Sequence, residues 1–186
     1  MSAPRFRLNG QDGVSPGALP GALPGDPARS LLDILREDHG LMAAKPGCRI
    51  GRCGACTVLM DGRPVNACLV MAYRLDGAEI LTADHSEAGE AVAIVRAALI
   101  DENAFQCGYC APGFVLALAA LFDRAPEADE AEIRAALAGN LCRCTGYASI
   151  LRGALTARDR LRAAREPASL EGLGAQDSPG PACSRR

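Results

Sequence analysis

The sequence lacks an excess of positive charge: 20 Lys and Arg stand against 22 Asp and Glu, giving a formal net charge of −2 and a pI near 5.7. A broadly basic surface is excluded, and with it non-specific nucleic-acid binding driven by phosphate neutralisation. There is also no run of the roughly 18–20 apolar residues that a membrane-spanning helix requires. The first residues, Met1 to Leu8, alternate arginine with apolar groups and contain neither the apolar stretch nor the twin arginines of an export signal. The expectation is a cytoplasmic chain without a membrane span. What the chain does have is cysteine, nine in 186 residues. In a reducing compartment such a count reads as metal or redox chemistry before disulfides.

The character of the sequence changes near residue 84. Before it, Gly, Pro and turn signals dominate; after it come long Ala- and Leu-rich stretches with few breakers. Two small domains, 1–84 and 85–165, fit the length better than one. Phe6 and Leu8 alternate with Arg5 and Arg7 and lead into Asn9-Gly10, a strand entering a hairpin that returns through Val14. Pro16-Gly17-Ala18-Leu19 is repeated as Pro20-Gly21-Ala22-Leu23 and begun again at Pro24-Gly25, which marks residues 15–27 as an extended loop or insertion. Ser30 and Asp33 resemble a capping box ahead of Leu31, Ile34 and Leu35, with the helix stopping at Gly40. His39 in its last turn reads as a histidine favoured by the helix macrodipole rather than a ligand.

Asp61-Gly62, between the runs 57–60 and 63–69, is a strong two-residue hairpin signal, and Pro64 assigns the return strand to an edge. Glu79 to Thr82 reads as the last strand. From about Glu87 the apolar period becomes helical: Val92, Val95 and Leu99; then Phe114, Leu118, Leu121 and Phe122 after Pro112; then Ile133 and Leu137 between Asp129 and Gly139; then Leu151 and Leu155 toward Arg165. Four such helices imply a bundle. Residues 166–186 are polar, aperiodic and expected to be disordered.

Eight cysteines fall into two quartets. Cys48-x4-Cys53-x2-Cys56 is the spacing by which plant-type ferredoxins wrap a [2Fe-2S] cluster, with Cys68 available as the fourth thiolate. Gly47, Gly51 and Gly54 allow a tight loop whose N–H groups face the sulfurs, and Ala55 is too small to crowd it. The hairpin at Asp61-Gly62 is expected to return Cys68 on its second strand. The other quartet, Cys107-x2-Cys110 and Cys142-x1-Cys144, lies in segments flanking a helical pair, where helix N-termini offer unpaired N–H groups to an anionic cluster. Gly108 and Gly146 suit a close backbone approach.

Tetrahedral zinc is the rival for both quartets and would make the chain a structural adaptor. The x4 spacing favours the larger two-iron unit. A histidine-ligated Rieske centre is excluded because His39 and His85 are not placed near cysteines. Arg49, Arg52 and Arg143 stand beside the cysteines, either offsetting cluster charge or as solvated surface groups. Cys183 reads as a free thiol.

The segments Gly47-Cys48 through Val58, Asn66-Ala67-Cys68-Leu69, Phe105-Gln106-Cys107-Gly108-Tyr109-Cys110-Ala111-Pro112-Gly113 and Gly139-Asn140-Leu141-Cys142-Arg143-Cys144-Thr145-Gly146-Tyr147 closely resemble the small iron–sulfur subunits of the molybdenum hydroxylases, the xanthine oxidase and aerobic carbon monoxide dehydrogenase family. The resemblance runs from about residue 5 to 162. It departs from the usual pattern at Ala111, where Thr is common, and at Arg49-Ile50, where Gly-Glu or similar is common; neither touches a thiolate.

The resemblance implies an α+β fold, with an N-terminal β-grasp ferredoxin-like domain followed by a four-helix bundle. It implies two [2Fe-2S] clusters held by Cys48, Cys53, Cys56 and Cys68 and by Cys107, Cys110, Cys142 and Cys144. It further implies a large partner subunit holding a molybdenum–pterin cofactor, in many members a medium subunit with FAD, and a contact of Gln106 and Cys144 with the pterin. The chain would then pass electrons and carry no substrate chemistry itself. A free-standing ferredoxin-like carrier is the alternative, opposed by the short x11 gap before Cys68. Purines, aldehydes, N-heterocycles and carbon monoxide all remain open as substrates of the whole enzyme.

Overall fold

The computed structural model describes residues 5–14, 26–85 and 89–165. The Pro-Gly-Ala-Leu repeat, nearly all of the expected insertion, the expected disordered tail and Cys183 lie outside the described residues. The elements are β1 (Arg5–Leu8), β2 (Gln11–Val14), α1 (Leu31–Asp33), β3 (Thr57–Met60), β4 (Arg63–Asn66), β5 (Glu79–Leu81), α2 (Glu90–Asp101), α3 (Ala111–Arg124), α4 (Glu130–Ala136) and α5 (Ala148–Arg165). The fold is mixed, one five-stranded sheet with helices.

Both expected hairpins form with two-residue turns, Leu8 pairing Gln11 and Met60 pairing Arg63. Asn9 and Gly10 take φ of 53° and 78°, and Asp61 and Gly62 take 52° and 73°. Two successive positive values make a type I′ turn, whose twist matches that of the strands it joins. Strand order is β2-β1-β5-β3-β4, so Pro64 stands in an edge strand, where its missing N–H costs no ladder bond. The short β5 takes the centre, parallel to β1 and antiparallel to β3.

Ser30 accepts a hydrogen bond from the Asp33 N–H at 3.2 Å and donates its hydroxyl to the Asp33 carboxylate at 2.7 Å, half of the expected capping box. Beyond Asp33 the helix widens into π-type turns over Ile34–Asp38, closed by the His39 N–H on the Ile34 carbonyl at 3.3 Å. The wider arc buries Leu31, Leu32, Ile34 and Leu35 completely. His39 corrects its sequence reading. It packs edge-on to Phe6, its Nε2 is buried without a hydrogen-bond partner, and burial lowers its pKa despite the nearby Asp38 charge. Burial opposes the charged form that the helix dipole would favour.

Two apolar cores result among the described residues. One gathers Phe6, Leu8, Leu31, Leu35, Val58, Leu75 and Ile80 between the sheet and α1. The other gathers α2, α3, α4 and α5 around Phe114, Leu118, Phe122, Ile133, Ile150 and Ala154. Strand β3 serves both, because successive side chains point to opposite faces: Val58 enters the first core and Leu59 the second. Burying a leucine this way is worth about 2 kcal/mol, and it fixes the helices on the outer face of the sheet. Asp129 and Glu132 close a reciprocal capping box that starts α4, with bonds of 2.8 and 2.9 Å.

Candidate metal centres

The first cysteine loop is tied at its ends and in its middle. The Lys45 N–H reaches the Ala55 carbonyl at 3.0 Å, the Thr57 hydroxyl donates to the Gly54 carbonyl at 2.8 Å, and the Asn66 amide reaches in from β4 to the Gly51 carbonyl at 3.0 Å. Held this way, the backbone turns its N–H groups on the sulfurs: Arg52 and Ile50 approach Cys48 Sγ at 3.2 and 3.5 Å, and the Cys48 N–H approaches Cys53 Sγ at 3.4 Å. The N–H groups of Ile50 and Arg52 lower the Cys48 pKa to about 6. Burial pushes Cys56 the other way, up to about 12, with Cys68 as its neighbour. Metal entry must therefore displace a proton from the buried Cys56, while Cys48 gives up its own more readily.

Cys68 arrives differently from its sequence reading. Strand β4 ends at Asn66, and Cys68 lies in the following 3₁₀ turn, Ala67–Leu69. The Ala67 N–H bonded to the Cys56 carbonyl at 3.1 Å holds that turn against the loop.

The second quartet is built from two turns, each leading directly into a helix. Cys110 occupies the cap position of α3, with Pro112 in the first turn, and its carbonyl accepts from the Gly113 and Phe114 N–H groups at 3.1 and 3.4 Å. Cys142 and Cys144 precede α5. The sulfurs of Cys107 and Cys144 lie 3.7 Å apart at the surface, and Cys110 and Cys142 face one another beneath them. Burial pushes Cys110 up to about 12. The Tyr109 N–H lowers the Cys107 pKa. At Cys142 burial opposes ionisation, but the Thr145 hydroxyl and the N–H groups of Cys144 and Thr145 prevail and lower the pKa.

The topology thus brings each sequence-predicted quartet together, and the eight cysteines are all free thiols. Among the described residues no three His, Cys, Asp or Glu side chains converge on one point as a single ion would require. The sulfurs of Cys107 and Cys144 pair at 3.7 Å, and Cys110 neighbours Cys142 as Cys56 neighbours Cys68. Arg49 forms an ion pair with Asp33 at 2.9 Å, whereas Arg52 and Arg143 are exposed. Gln106 is exposed beside Cys107.

Sequence reasoning missed what joins the two centres. The Leu141 N–H donates to the Cys53 carbonyl at 3.0 Å, and the buried Asn140 amide reaches the Gly54 carbonyl at 3.4 Å. The Tyr109 hydroxyl donates to the Pro46 carbonyl at 3.1 Å, and the Lys45 ammonium lies 5.6 Å from the centre of the Tyr109 ring. Backbone meets backbone here: a Cβ on Gly113 would strike the Gly54 carbonyl, and one on Gly54 would lie 2.6 Å from the Gly139 carbonyl. Gly54 also sits at φ +67°. The signal was present in the bare glycines of both motifs, but their partners lie far away in sequence.

Residues 22–90 match the family described as 2Fe-2S iron-sulfur cluster binding domain, and residues 82–155 the family described as [2Fe-2S] binding domain. The zinc alternative gives way to two [2Fe-2S] clusters. The chain is 45% identical over 139 residues to a probable xanthine dehydrogenase subunit of Bacillus subtilis, covering 75% of this chain and 80% of that one. It is 43% identical to the nicotinate dehydrogenase small FeS subunit of Eubacterium barkeri, over 67% of this chain and 80% of that one. Among solved structures, quinoline 2-oxidoreductase from Pseudomonas putida 86 superposes with a TM-score of 0.75 at 31% identity, over 87% of this chain and 96% of the matched one. Likeness of this degree over most of both chains, with family matches that span both cysteine quartets, makes this chain a member of the small iron–sulfur subunits of the molybdenum hydroxylase family, an oxidoreductase component.

Proposed function

We propose that the chain conducts single electrons from a molybdenum–pterin centre on a large partner subunit, by way of its helical region and then its sheet region, toward FAD on a medium subunit or another acceptor. Cys48, Cys53, Cys56 and Cys68 hold one [2Fe-2S] cluster, and Cys107, Cys110, Cys142 and Cys144 the other. Each cluster, when bound, accepts and releases one electron at a time, which divides a two-electron reduction at molybdenum into single steps.

The observation that carries this reading is the Leu141 N–H on the Cys53 carbonyl at 3.0 Å. It links a ligand residue of one quartet to the residue preceding a ligand of the other, through one hydrogen bond and a few covalent bonds. Beside it the Asn140 amide, buried to 5% exposure, reaches the Gly54 carbonyl at 3.4 Å and adds a second tie between the same two segments. The order of the two centres is supported by exposure at the outer end: Gln106, Cys107 and Cys144 are open to a partner, and the Gln106 amide can both donate to and accept from a pterin edge. The two apolar cores support a division into an N-terminal β-grasp domain, residues 1–84, and a helical domain, 85–165, that share β3. No described helix is long and apolar enough to cross a membrane, in keeping with work in the cytoplasm.

Replacing Cys53 in one variant of the complex and Cys107 in another tests the order by freeze-quench EPR. Without the sheet-region cluster, the helical-region cluster is still reduced by substrate at a near-normal rate. Without the helical-region cluster, electrons stall at molybdenum. Rapid reduction of the remaining cluster in the Cys107 variant would contradict the order.

A further inference from the structure

Backbone N–H groups face both quartets, and beside Cys142 a side-chain hydroxyl is added to them. Around Cys48 and Cys53 the N–H groups are those of Cys48, Ile50 and Arg52. Beside Cys142 stands a side chain: the Thr145 hydroxyl donates to Cys142 Sγ at 3.1 Å. Its direction is set by its other bond, because the Thr145 oxygen accepts the Tyr147 N–H at 3.3 Å and its single proton is left for the sulfur.

The turn that aims this hydroxyl is held from several sides. Gly146 and Tyr147 take successive left-handed φ values of 64° and 69°. That conformation is costly for tyrosine and persists only where the surroundings over-determine it. Here they do: the Tyr147 hydroxyl accepts the Cys142 N–H at 2.9 Å and donates to the Asn140 carbonyl at 3.2 Å, while its ring lies against Phe114 with centroids 6.2 Å apart. Tyr147 thereby clamps the loop that carries Cys142 and Thr145 together.

From this geometry, and resting on the cluster reading above, we infer that Thr145 sets the reduction potential of the helical-region cluster through its hydroxyl on Cys142, with Tyr147 as the residue that positions it. Reduction adds one electron and makes the cluster and its thiolates more negative. A hydrogen bond to a ligand sulfur favours that state over the oxidised one and raises the potential. The proton stays on Thr145 throughout, so no bond is broken and one electron is the whole exchange. Because the Thr145 hydroxyl bonds Cys142 and Tyr147 and lies on the helical-region side alone, a change at Thr145 moves one centre and leaves the other, altering the driving force between them.

The test is EPR-monitored potentiometry of the full chain carrying both clusters, poised with dithionite and mediators, in unsubstituted, Thr145→Val, Thr145→Ala, Thr145→Ser and Tyr147→Phe forms. Thr145→Val is expected to leave about tenfold less reduced helical-region cluster at a fixed potential, a downward move of about 59 mV for a one-electron couple. The sheet-region cluster should not move, Thr145→Ser should stay near the unsubstituted value, and Tyr147→Phe should move in the same direction by less. An unmoved potential in Thr145→Val, an equal move in Thr145→Ser, or an equal move of both clusters would overturn the inference. So would loss of the helical-region cluster in Thr145→Val and Thr145→Ala alike, which would assign the hydroxyl to assembly. Failure of the underlying cluster reading is distinguishable, since the unsubstituted chain would then lack acid-labile sulfide altogether.

Discussion

The two cysteine quartets are assembled by opposite means. In the sheet region three cysteines sit within nine residues of one glycine-rich loop, and the fourth follows the neighbouring hairpin, so local backbone geometry turns N–H groups onto sulfur. In the helical region two pairs 32 residues apart, counted from Cys110 to Cys142, meet only because α3 and α5 pack around a shared core, and side chains of Thr145 and Tyr147 complete the surroundings. A centre made by a loop depends on that loop. A centre made by helix starts depends on the whole bundle, and the contact between the two centres inherits both dependences.

That contrast is most strongly challenged at the seam. Gly113→Ala places a methyl group against the Gly54 carbonyl, a backbone atom that cannot move aside cheaply. The expected loss is about 3 kcal/mol, read as a lowered denaturation midpoint, together with a changed first-cluster EPR signal although the substitution lies in α3. An unchanged first cluster would show that the loop is independent of the helices. Asn140→Ala removes a buried amide that spans the seam and leaves the Gly54 carbonyl without that donor. About 1–2 kcal/mol should be lost, with both cluster signals broadened, on the same measurements. Asp129→Ala breaks the cap at the start of α4, the opposite end of that helix from the Gly139-Asn140 segment that meets the loop. It should cost about 1 kcal/mol and leave the sheet-region cluster's EPR signal unaltered; an altered signal would mean the two regions are more tightly coupled than the seam alone allows. Arg134→Ala removes an exposed pair with Glu130 one turn away and should cost no more than about 0.5 kcal/mol in thermal or denaturant unfolding.

The same contrast explains what could be read from the sequence. Both type I′ hairpins were legible because Asn9-Gly10 and Asp61-Gly62 carry the conformational requirement in two adjacent residues. Pro64 gave away an edge strand through its missing donor. Helices α2 to α5 followed from apolar period, including a start of α4 near Asp129; the reciprocal cap between Asp129 and Glu132 emerged only in the structure. The position of β5 at the centre of the sheet was not legible, since nothing in Glu79–Leu81 specifies a parallel partner as distant as Arg7 and Leu8. The wide turn at Ile34–Asp38 and the packing of His39 edge-on to Phe6, with its Nε2 buried, bring together residues distant in the chain. At the centres themselves, cysteine spacing named the two quartets that the fold brings together, but Asn140, Leu141, Gly113 and Tyr147 have their roles through atoms distant in the chain, and spacing carries no trace of those.

The central claim, two separate two-iron clusters on one short chain, is tested most directly by counting iron, acid-labile sulfide and EPR spins in the unsubstituted chain and in Cys53→Ser and Cys107→Ser. The account predicts about four irons, four sulfides and two spins per fully reduced chain, falling to about half of each in either variant with a different signal surviving in each. Two zinc ions with no labile sulfide, or one and the same signal surviving in both variants, would contradict it.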